Sequence, residues 1–281
     1  MIYIDNLSYQ YPGAQMETLR GIDFSIAKGE VFGFLGPSGS GKSTTQKIMF
    51  KLLGGYKGSV KIGNKEVRDW DHTIYEKIGV GFELPNHYLK LSALENLVFF
   101  KTFYTSSQDP MMLLEQVGLG NDAHKKVGDY SKGMKMRLNF IRSYMHNPEI
   151  LFLDEPTSGL DPVNARLIKD IILELKGKGK TIFITTHQMH DAEELCDRVA
   201  FIVDGNIKII DSPENLKNRH SKRTVEVKLK NQAMRQTYSL DGLGENQDFL
   251  QLIRTNEIET LHSKEASLDD IFIQVTGKTL L

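Results

Sequence analysis

Cysteine is nearly absent from this chain, which has one, Cys196, among 281 residues. A single thiol excludes an internal disulfide and a cysteine-rich metal site, and it fits a reducing compartment such as the cytosol. Because Cys196 lies beside the apolar run 199–203, we expect a buried structural thiol.

Long apolar runs are also missing. No stretch approaches the roughly 18 apolar residues that a helix needs to cross a bilayer, and residues 1–5 lack the basic and apolar regions of a signal peptide. If the protein works at a membrane, we therefore expect another chain to supply the membrane span. The net charge of −1 gives no bulk reason to expect nucleic-acid binding.

Apolar strands alternate with helical patterns along most of the chain, which predicts an α/β fold with a mainly parallel sheet. Short antiparallel strands are expected at residues 2–30, and a helical insertion at about 84–140. We assign residues 1–210 to one α/β domain. We assign residues 211–281 to a small α+β appendage, in which 223–230 alternates as a strand does.

The most informative pattern is a glycine-rich run with the spacing Gly, four residues, Gly-Lys-Ser, between an apolar strand (31–35) and a helical pattern (44–50). Such a loop presents backbone N–H groups to an anion at a helix N-terminus. Lys42 would reach the β- and γ-phosphates, and the Ser43 hydroxyl would bind Mg²⁺. A chance match in a Gly/Ser linker would lack these flanks. The candidate phosphate-binding residues are Gly36, Pro37, Ser38, Gly39, Ser40, Gly41, Lys42, Ser43 and Thr44.

Two carboxylates follow the apolar strand Ile150–Leu153. Ligands of open α/β sheets bind at the carboxyl ends of the strands, where Asp154 and Glu155 are expected. Asp154 would hold Mg²⁺, and Glu155 would polarise the attacking water or accept its proton. Alone, an apolar run followed by acid is also compatible with an ordinary strand and turn. Together with the glycine loop it favours nucleotide hydrolysis.

The chain resembles a single nucleotide-binding subunit of the ABC ATPase family over roughly residues 2–210. The resemblance is specific because five short motifs occur in the family's order and at about its spacing. They are Gly36–Ser43, Tyr130–Met134, Asp154–Thr157, Ser158–Asp161 and Thr185–His187.

The resemblance implies that two such subunits enclose two ATP molecules head to tail. Ser131 and Gly133 are then the signature residues that contact the γ-phosphate bound to the other subunit. Ser131 also has the position of a simple helix N-cap, and both interpretations can hold. His187 is implied to link the γ-phosphate to the catalytic glutamate, and Asp161 to couple the two sites across the dimer.

The resemblance also implies an aromatic side chain that stacks on adenine. Tyr11 has the position of this residue, although Tyr9 is near in sequence and either ring is compatible with the core. Lys42, Glu155 and His187 form the implied catalytic set.

The sequence departs from the family pattern in two places, the signature and residue 83. The signature has Tyr-Ser-Lys-Gly-Met where the commonest form has Leu-Ser-Gly-Gly-Gln, but Ser131 and Gly133 are kept. Glu83, at the expected end of the strand 77–83, stands where the family usually has a glutamine. A carboxylate is a harder ligand than an amide, so one hypothesis places Glu83 in the metal shell. The other is that Glu83 points to solvent.

These observations predict the ATPase subunit of a membrane transporter of the exporter type, with ATP and Mg²⁺ as ligands. Its expected partners are a transmembrane permease chain and a second nucleotide-binding subunit, identical or not, at the cytoplasmic face of the membrane. The main alternative is a soluble ABC ATPase acting on the ribosome or on DNA. Further alternatives are a P-loop kinase or switch, and a sugar-importer subunit with a larger C-terminal domain.

Overall fold

The computed structural model describes residues 1–220, 224–230, 234–264 and 266–278. It divides into two units, one spanning Met1–Asp211 and the other beginning at Ser212. The strands are β1 (Ile2–Tyr9), β2 (Leu19–Ile26), β3 (Val31–Leu35), β4 (Lys57–Ile62), β5 (Lys65–Glu66), β6 (Ile78–Gly81), β7 (Ile150–Asp154), β8 (Thr181–Thr186), β9 (Arg198–Val203), β10 (Asn206–Asp211), β11 (Thr224–Leu229), β12 (Arg235–Ser239) and β13 (Ile258–Lys264). The α-helices are α1 (Lys42–Met49), α2 (Ile74–Lys77), α3 (Ala93–Lys101), α4 (Pro110–Gln116), α5 (Lys132–Tyr144), α6 (Pro162–Gly177), α7 (Met189–Leu195), α8 (Pro213–His220), α9 (Gln247–Thr255) and α10 (Leu268–Thr276).

The central sheet of the first unit has the strand order β10-β9-β3-β8-β7-β6. Its strands are parallel except β10, which pairs with β9 in the antiparallel sense. Strands β3 and β8 are buried along their whole length, as expected for parallel strands covered on both faces. Because β3, β8 and β7 are neighbours, the segments that follow their carboxyl ends lie side by side.

A smaller antiparallel sheet with the order β2-β1-β4-β5 lies in the same unit. Its apolar side chains join those of the central sheet in one core cluster. Phe24 of β2 stacks on Phe32 and Phe34 of β3, with ring centroids 5.4 and 5.3 Å apart. The predicted N-terminal antiparallel strands are therefore confirmed.

The chain between β6 and β7 is helical, with α3, α4 and α5 joined by loops and short 3₁₀ turns. Helix α3 begins with a capping box, in which the Ser92 hydroxyl accepts from Glu95 N–H and the Glu95 carboxylate accepts from Ser92 N–H. This reciprocal pair satisfies two N–H groups that the first helical turn leaves free. The predicted helical insertion is confirmed.

The second unit contains the three-stranded antiparallel sheet β12-β11-β13 and helices α8, α9 and α10. Val225, Val227 and Leu229 alternate along β11 and pack with Phe249 of α9 in a small core. The predicted strand at 223–230 corresponds to β11, while Arg223 lies outside the described residues. This unit is the α+β appendage of the predicted fold class.

The structure corrects two boundaries. Strand β6 ends at Gly81, so Glu83 lies in the turn after the strand and not at its end. Helix α1 begins at Lys42, two residues before the expected start at Thr44. Within the described residues, no helix combines the length and the apolar character needed to cross a bilayer.

Candidate nucleotide site

The loop between β3 and α1 is closely packed beneath its backbone. A Cβ atom on Gly36 would lie 2.2 Å from the carbonyl oxygen of Ile202, so only glycine fits there. Gly41 has φ +111°, a conformation that residues with a Cβ rarely adopt. Gly41 also caps α1 without any side-chain hydrogen bond. The first N–H groups of α1 are therefore open to an anion.

Lys42 folds back over this loop. Its Nζ donates hydrogen bonds to the carbonyl oxygens of Gly36 and Pro37 at 2.6 and 3.0 Å. Burial lowers the pKa of Lys42, and the nearby carboxylates of Glu155, Asp154 and Glu83 oppose that shift. The ammonium group is thus held between the loop and the acidic side of the cleft.

Asp154 ends β7 and accepts a short hydrogen bond from the Thr185 hydroxyl of β8. Burial raises the pKa of Asp154, and the carboxylates of Glu83 and Glu155 raise it further. The ionised form of Asp154 therefore needs a positive partner. The described residues contain no group of three or more acidic, histidine or cysteine side chains at metal-binding distances. A Mg²⁺ ion here would need hydroxyl, phosphate or water oxygens to complete its shell.

Glu155 is the most constrained acid of the site. Its side chain is 7% exposed, and its backbone has φ +50°, which is unusual for a residue other than glycine. One carboxylate oxygen accepts from the Thr186 hydroxyl at 2.9 Å. The other accepts from His187 N–H at 2.9 Å and lies 2.6 Å from His187 Nδ1. Glu155 and His187 therefore form a preassembled pair.

Tyr11 lies at the rim of the cleft, where its hydroxyl is 3.2 Å from the Thr44 hydroxyl. Tyr9 is buried in the core, and the two rings meet edge to face with centroids 5.0 Å apart. Of the two tyrosines, only Tyr11 is placed to meet a ligand. Glu83 also lines the cleft and is exposed, and its charge contributes to the raised pKa of Asp154.

These elements enclose a cleft of about 400 Å³, within the size range of ligand pockets. The lining residues are Tyr11, Thr18, Ser38, Gly39, Gly41, Lys42, Ser43, Thr44, Glu83, Asp154, Glu155 and His187. The predicted residues Gly36, Pro37 and Ser40 do not line the cleft, although the carbonyl oxygens of Gly36 and Pro37 accept from Lys42. A second cleft of similar volume, lined by Lys28, Lys77 and Glu149 among others, has no glycine loop. The two clefts have similar volumes, so the residues that line them identify which one is the nucleotide cleft.

Three further predicted residues, Ser131, Gly133 and Asp161, also do not line this cleft. Ser131 caps α5 by accepting from Met134 N–H at 3.2 Å. Asp161 caps α6 by accepting from the backbone N–H groups of residues 163 and 164, both at 3.0 Å. The two caps belong to adjoining segments, because Leu160 would lie 3.5 Å from a Cβ atom on Gly133. Ser131, Gly133 and Asp161 form a second group, in which Ser131 and Asp161 are exposed and Gly133 is partly buried; we call it the signature group.

The sequence reasoning gave no role to Thr18, Thr185 or Thr186. The hydroxyls of Thr185 and Thr186 hold the two acids, and Thr18 lines the cleft. The signal for the first pair was their position directly before His187 in a predicted strand. Thr18 carried no signal in the sequence.

Comparison with known proteins places the chain in a family. Residues 19–158 match a family model described as ABC transporter. The chain belongs to the ABC transporter family. A second model, described as the fluoroquinolone efflux ABC transporter C-terminal domain, matches residues 223–265.

Relatives of known name share the ABC architecture over most of the chain. The chain is 52% identical to the fluoroquinolones export ATP-binding protein Rv2688c of Mycobacterium tuberculosis strain H37Rv, covering 100% of this chain and 94% of that protein. It is 33% identical to the linearmycin resistance ATP-binding protein LnrL of Bacillus subtilis strain 168, covering 96% and 85%. A dimeric post-hydrolysis structure of the ATP-binding cassette MJ0796 bound to ADP and Pi aligns with TM-score 0.69 and 27% identity, covering 75% of this chain and 98% of that one.

This ABC protein is therefore an ATP-binding and ATP-hydrolysing subunit of a transporter of the exporter type, as the sequence motifs predicted. The soluble and kinase alternatives are not supported.

Proposed function

We propose that this subunit hydrolyses ATP in the cleft described above, at the cytoplasmic face of a membrane, and so powers the export of an antibiotic-like molecule by a separate membrane chain. The observation that carries the proposal is the convergence of Lys42, Asp154, Glu155 and His187 on the glycine loop of one cleft. The comparisons support the reaction, and the site geometry supports the residue roles that follow.

In this proposal the open N–H groups of α1 and the Lys42 ammonium bind the β- and γ-phosphates. The adenine ring stacks on Tyr11 at the rim. Glu155 accepts the proton of the water that attacks the γ-phosphorus, and ADP and phosphate leave. The backbone N–H and Nδ1 of His187 contact Glu155 and hold that carboxylate in place. Donation from the other ring nitrogen to the γ-phosphate as well requires the imidazolium form, in which both ring nitrogens carry protons.

Ser43, Asp154 and Glu83 would hold Mg²⁺ together with phosphate and water oxygens, which are the ligands that this hard cation prefers. The donor set fits a cation. Burial and the acidic neighbours disfavour the ionised form of Asp154, and a positive ion beside the carboxylate would stabilise that form. Mg²⁺ would supply charge neutralisation at the phosphates.

The signature group supports a second subunit. Ser131, Gly133 and Asp161 are outside the cleft of their own chain, and Ser131 and Asp161 are exposed. Helix α5 has Ser131 as its N-cap and carries no acidic residue in its first turn, so its N-terminus favours an anion. We infer that a second copy, or a related subunit, brings this group to the γ-phosphate across a closed dimer.

The helical insertion supports a membrane partner. In it, the Phe99 ring contacts both Tyr88 and Phe103, with ring centroids 4.9 and 5.1 Å apart. The exposed fractions of Tyr88, Phe99 and Phe103 are 50, 37 and 62%. Exposed apolar clusters of this kind mark interaction surfaces. We propose that the permease chain docks here.

The transported molecule is proposed from the relatives alone. The names of the matched proteins include fluoroquinolone export and linearmycin resistance, and the second unit matches a model from fluoroquinolone efflux transporters. We propose a fluoroquinolone-like drug as the first molecule to test.

The Glu155→Gln variant tests the proposal. Loss of the base should lower kcat by about 10²–10⁴-fold while ATP binding is kept, so the ATP-bound dimer accumulates. The measurements are ATP turnover, and solution mass with and without Mg-ATP. A doubling of the mass only with Mg-ATP is expected.

Glu149→Gln is the matched control, because Glu149 lies just before the other end of the same strand with a 67% exposed side chain. It should hydrolyse ATP at the wild-type rate. Rapid turnover by Glu155→Gln would remove its assignment as base. An unchanged mass at saturating Mg-ATP would contradict closure of two copies of this chain.

A further inference from the structure

The turn that carries Glu83 is fastened to helix α5 on both sides of that residue. Before Glu83, the Asn139 side-chain amide donates to the carbonyl oxygen of Phe82 at 2.7 Å. After it, one guanidinium nitrogen of Arg142 donates to the carbonyl oxygen of Asn86 at 2.5 Å. Residues 139 and 142 are one helical turn apart, so both contacts come from the same face of α5.

Asn139 and Arg142 also bind each other. The second guanidinium nitrogen of Arg142 donates to the Asn139 side-chain oxygen at 2.8 Å. The guanidinium carbon lies 4.6 Å from the centre of the Phe100 ring, a cation–π distance. Asn139 is only 2% exposed. The hydrogen bonds of Asn139 to Phe82 and of Arg142 to Asn139 are partly buried, and that of Arg142 to Asn86 is exposed.

Arg142 has no carboxylate within ion-pair distance among the described residues. Burial lowers the pKa of its guanidinium. A partly buried cation without a counterion is unfavourable, so simple stabilisation is a poor reason for an arginine here. The planar guanidinium explains an arginine at this position, because its two terminal nitrogens reach Asn86 and Asn139 at the same time.

The same helix begins at the signature group. Helix α5 has 13 residues with Ser131 as its N-cap, so it is a rod of about 20 Å. One end carries the Ser131 hydroxyl and the other end holds the Glu83 turn.

We propose that Asn139 and Arg142 are positioning residues that hold the backbone on both sides of Glu83 and so fix the Glu83 carboxylate in the nucleotide cleft. The proposal rests on the role of Glu83 in metal binding given above. The two side chains act through Glu83 and do not touch the nucleotide.

A double-mutant cycle on the full chain tests the proposal. Arg142→Met should lower kcat at least about tenfold and raise the Mg²⁺ concentration for half-maximal rate, with KM for ATP changed less than about twofold. In a Glu83→Gln background, Arg142→Met should lower kcat by less than a further twofold, because the effects of substitutions at residues that act as a unit do not add.

A second readout does not depend on turnover. Binding of Mn²⁺ in the presence of ADP, followed by electron paramagnetic resonance, should weaken equally in Glu83→Gln, Arg142→Met and the double variant. Arg137→Met is the matched control, because Arg137 is on the same helix but donates to the carbonyl oxygen of Val117 at 2.6 Å. It should not couple to Glu83. If Arg142→Met folds poorly, Arg142→Lys replaces it in the cycle. This variant keeps the charge and should show a smaller coupling to Glu83→Gln of the same sign.

Additive losses in the cycle, or equal coupling from Arg137→Met, would overturn the proposal. Unchanged Mn²⁺ binding in Arg142→Met but weakened binding in Glu83→Gln would do so as well. Unchanged Mn²⁺ binding in Glu83→Gln itself would instead reject the metal role of Glu83. Unaltered ATP turnover by Glu155→Gln would reject the proposed mechanism separately.

Discussion

At the residue scale, the site depends on carboxylates kept close together by hydroxyl and N–H donors. Glu155 accepts three hydrogen-bonding contacts, from Thr186 and from two atoms of His187. Asp154 has one, from Thr185. The two acids are adjacent in sequence but differ in environment, and this difference supports separate roles as base and as metal ligand.

Glu83 gives a residue-scale prediction. The Glu83→Gln variant removes one of the charges that raise the pKa of Asp154, and it replaces a carboxylate donor by an amide. We expect the Mg²⁺ concentration for half-maximal ATP hydrolysis to rise several-fold. Titration of Mg²⁺ at saturating ATP is the measurement. An unchanged Mg²⁺ requirement would return Glu83 to the solvent-facing hypothesis.

His87 gives a second residue-scale prediction, which concerns the pH dependence of stability. Burial lowers the pKa of His87 to about 4 from 6.5, so the folded state binds fewer protons than the unfolded state between these values. Its contribution to the free energy of unfolding is complete above pH 6.5 and is lost as the pH falls toward the folded pKa. Between pH 7 and 5 the loss should be roughly 2 kcal/mol.

Urea unfolding at the two pH values, compared between wild type and His87→Asn, measures this contribution. On acidification from the higher to the lower pH, the free energy of unfolding of the variant should fall by that amount less than the free energy of unfolding of the wild type. An equal loss in both proteins would show that His87 is not the titrating group.

At the element scale, the position of Glu83 depends on how closely β6 approaches α5. A Cβ atom on Gly79 of β6 would lie 1.8 Å from the carbonyl oxygen of Ser143 in α5. The helix backbone can therefore approach the strand only because residue 79 has no side chain. This contact brings the Asn139 and Arg142 face of α5 to the turn after β6.

Gly79→Ala should consequently lower the free energy of unfolding by about 2–4 kcal/mol, since an overpacked core site must displace backbone. Thermal unfolding of the purified protein is the measurement. Gly177→Ala is the control, because no atom lies within 4 Å of a Cβ there and its φ is not positive. It should be neutral or stabilising by up to about 1 kcal/mol. Equal midpoints for both variants would contradict the close-packing argument.

At the scale of the whole molecule, all cleft residues and the signature group precede Asp211 in the first unit. The second unit has a core of its own, built on β11 and α9. The domain boundary proposed from the sequence, between residues 210 and 211, leads to a functional prediction. It states that ATP binding needs only the first unit.

A chain ending at Asp211 tests this division. It should bind Mg-ATP with a Kd within about threefold of that of the full chain, because no cleft residue is removed. Calorimetric titration of both proteins is the measurement, with Lys42→Ala as the binding-deficient control. A loss of ATP affinity in a folded 1–211 chain would assign the second unit a direct role in nucleotide binding.

The sequence by itself determined the fold class and the members of the site, because those signals are local. A glycine loop before a helix, an acid after an apolar strand and a histidine after the next strand each have a physical meaning within a few residues. The tertiary structure decided what depends on contacts between distant segments. It separated core Tyr9 from the cleft residue Tyr11, moved Glu83 into a turn, gave Thr185 and Thr186 their partners, and placed Asn139 and Arg142 around that turn. No spacing rule relates residue 83 to residues 139 and 142, because the packing of α5 on β6 alone brings them together.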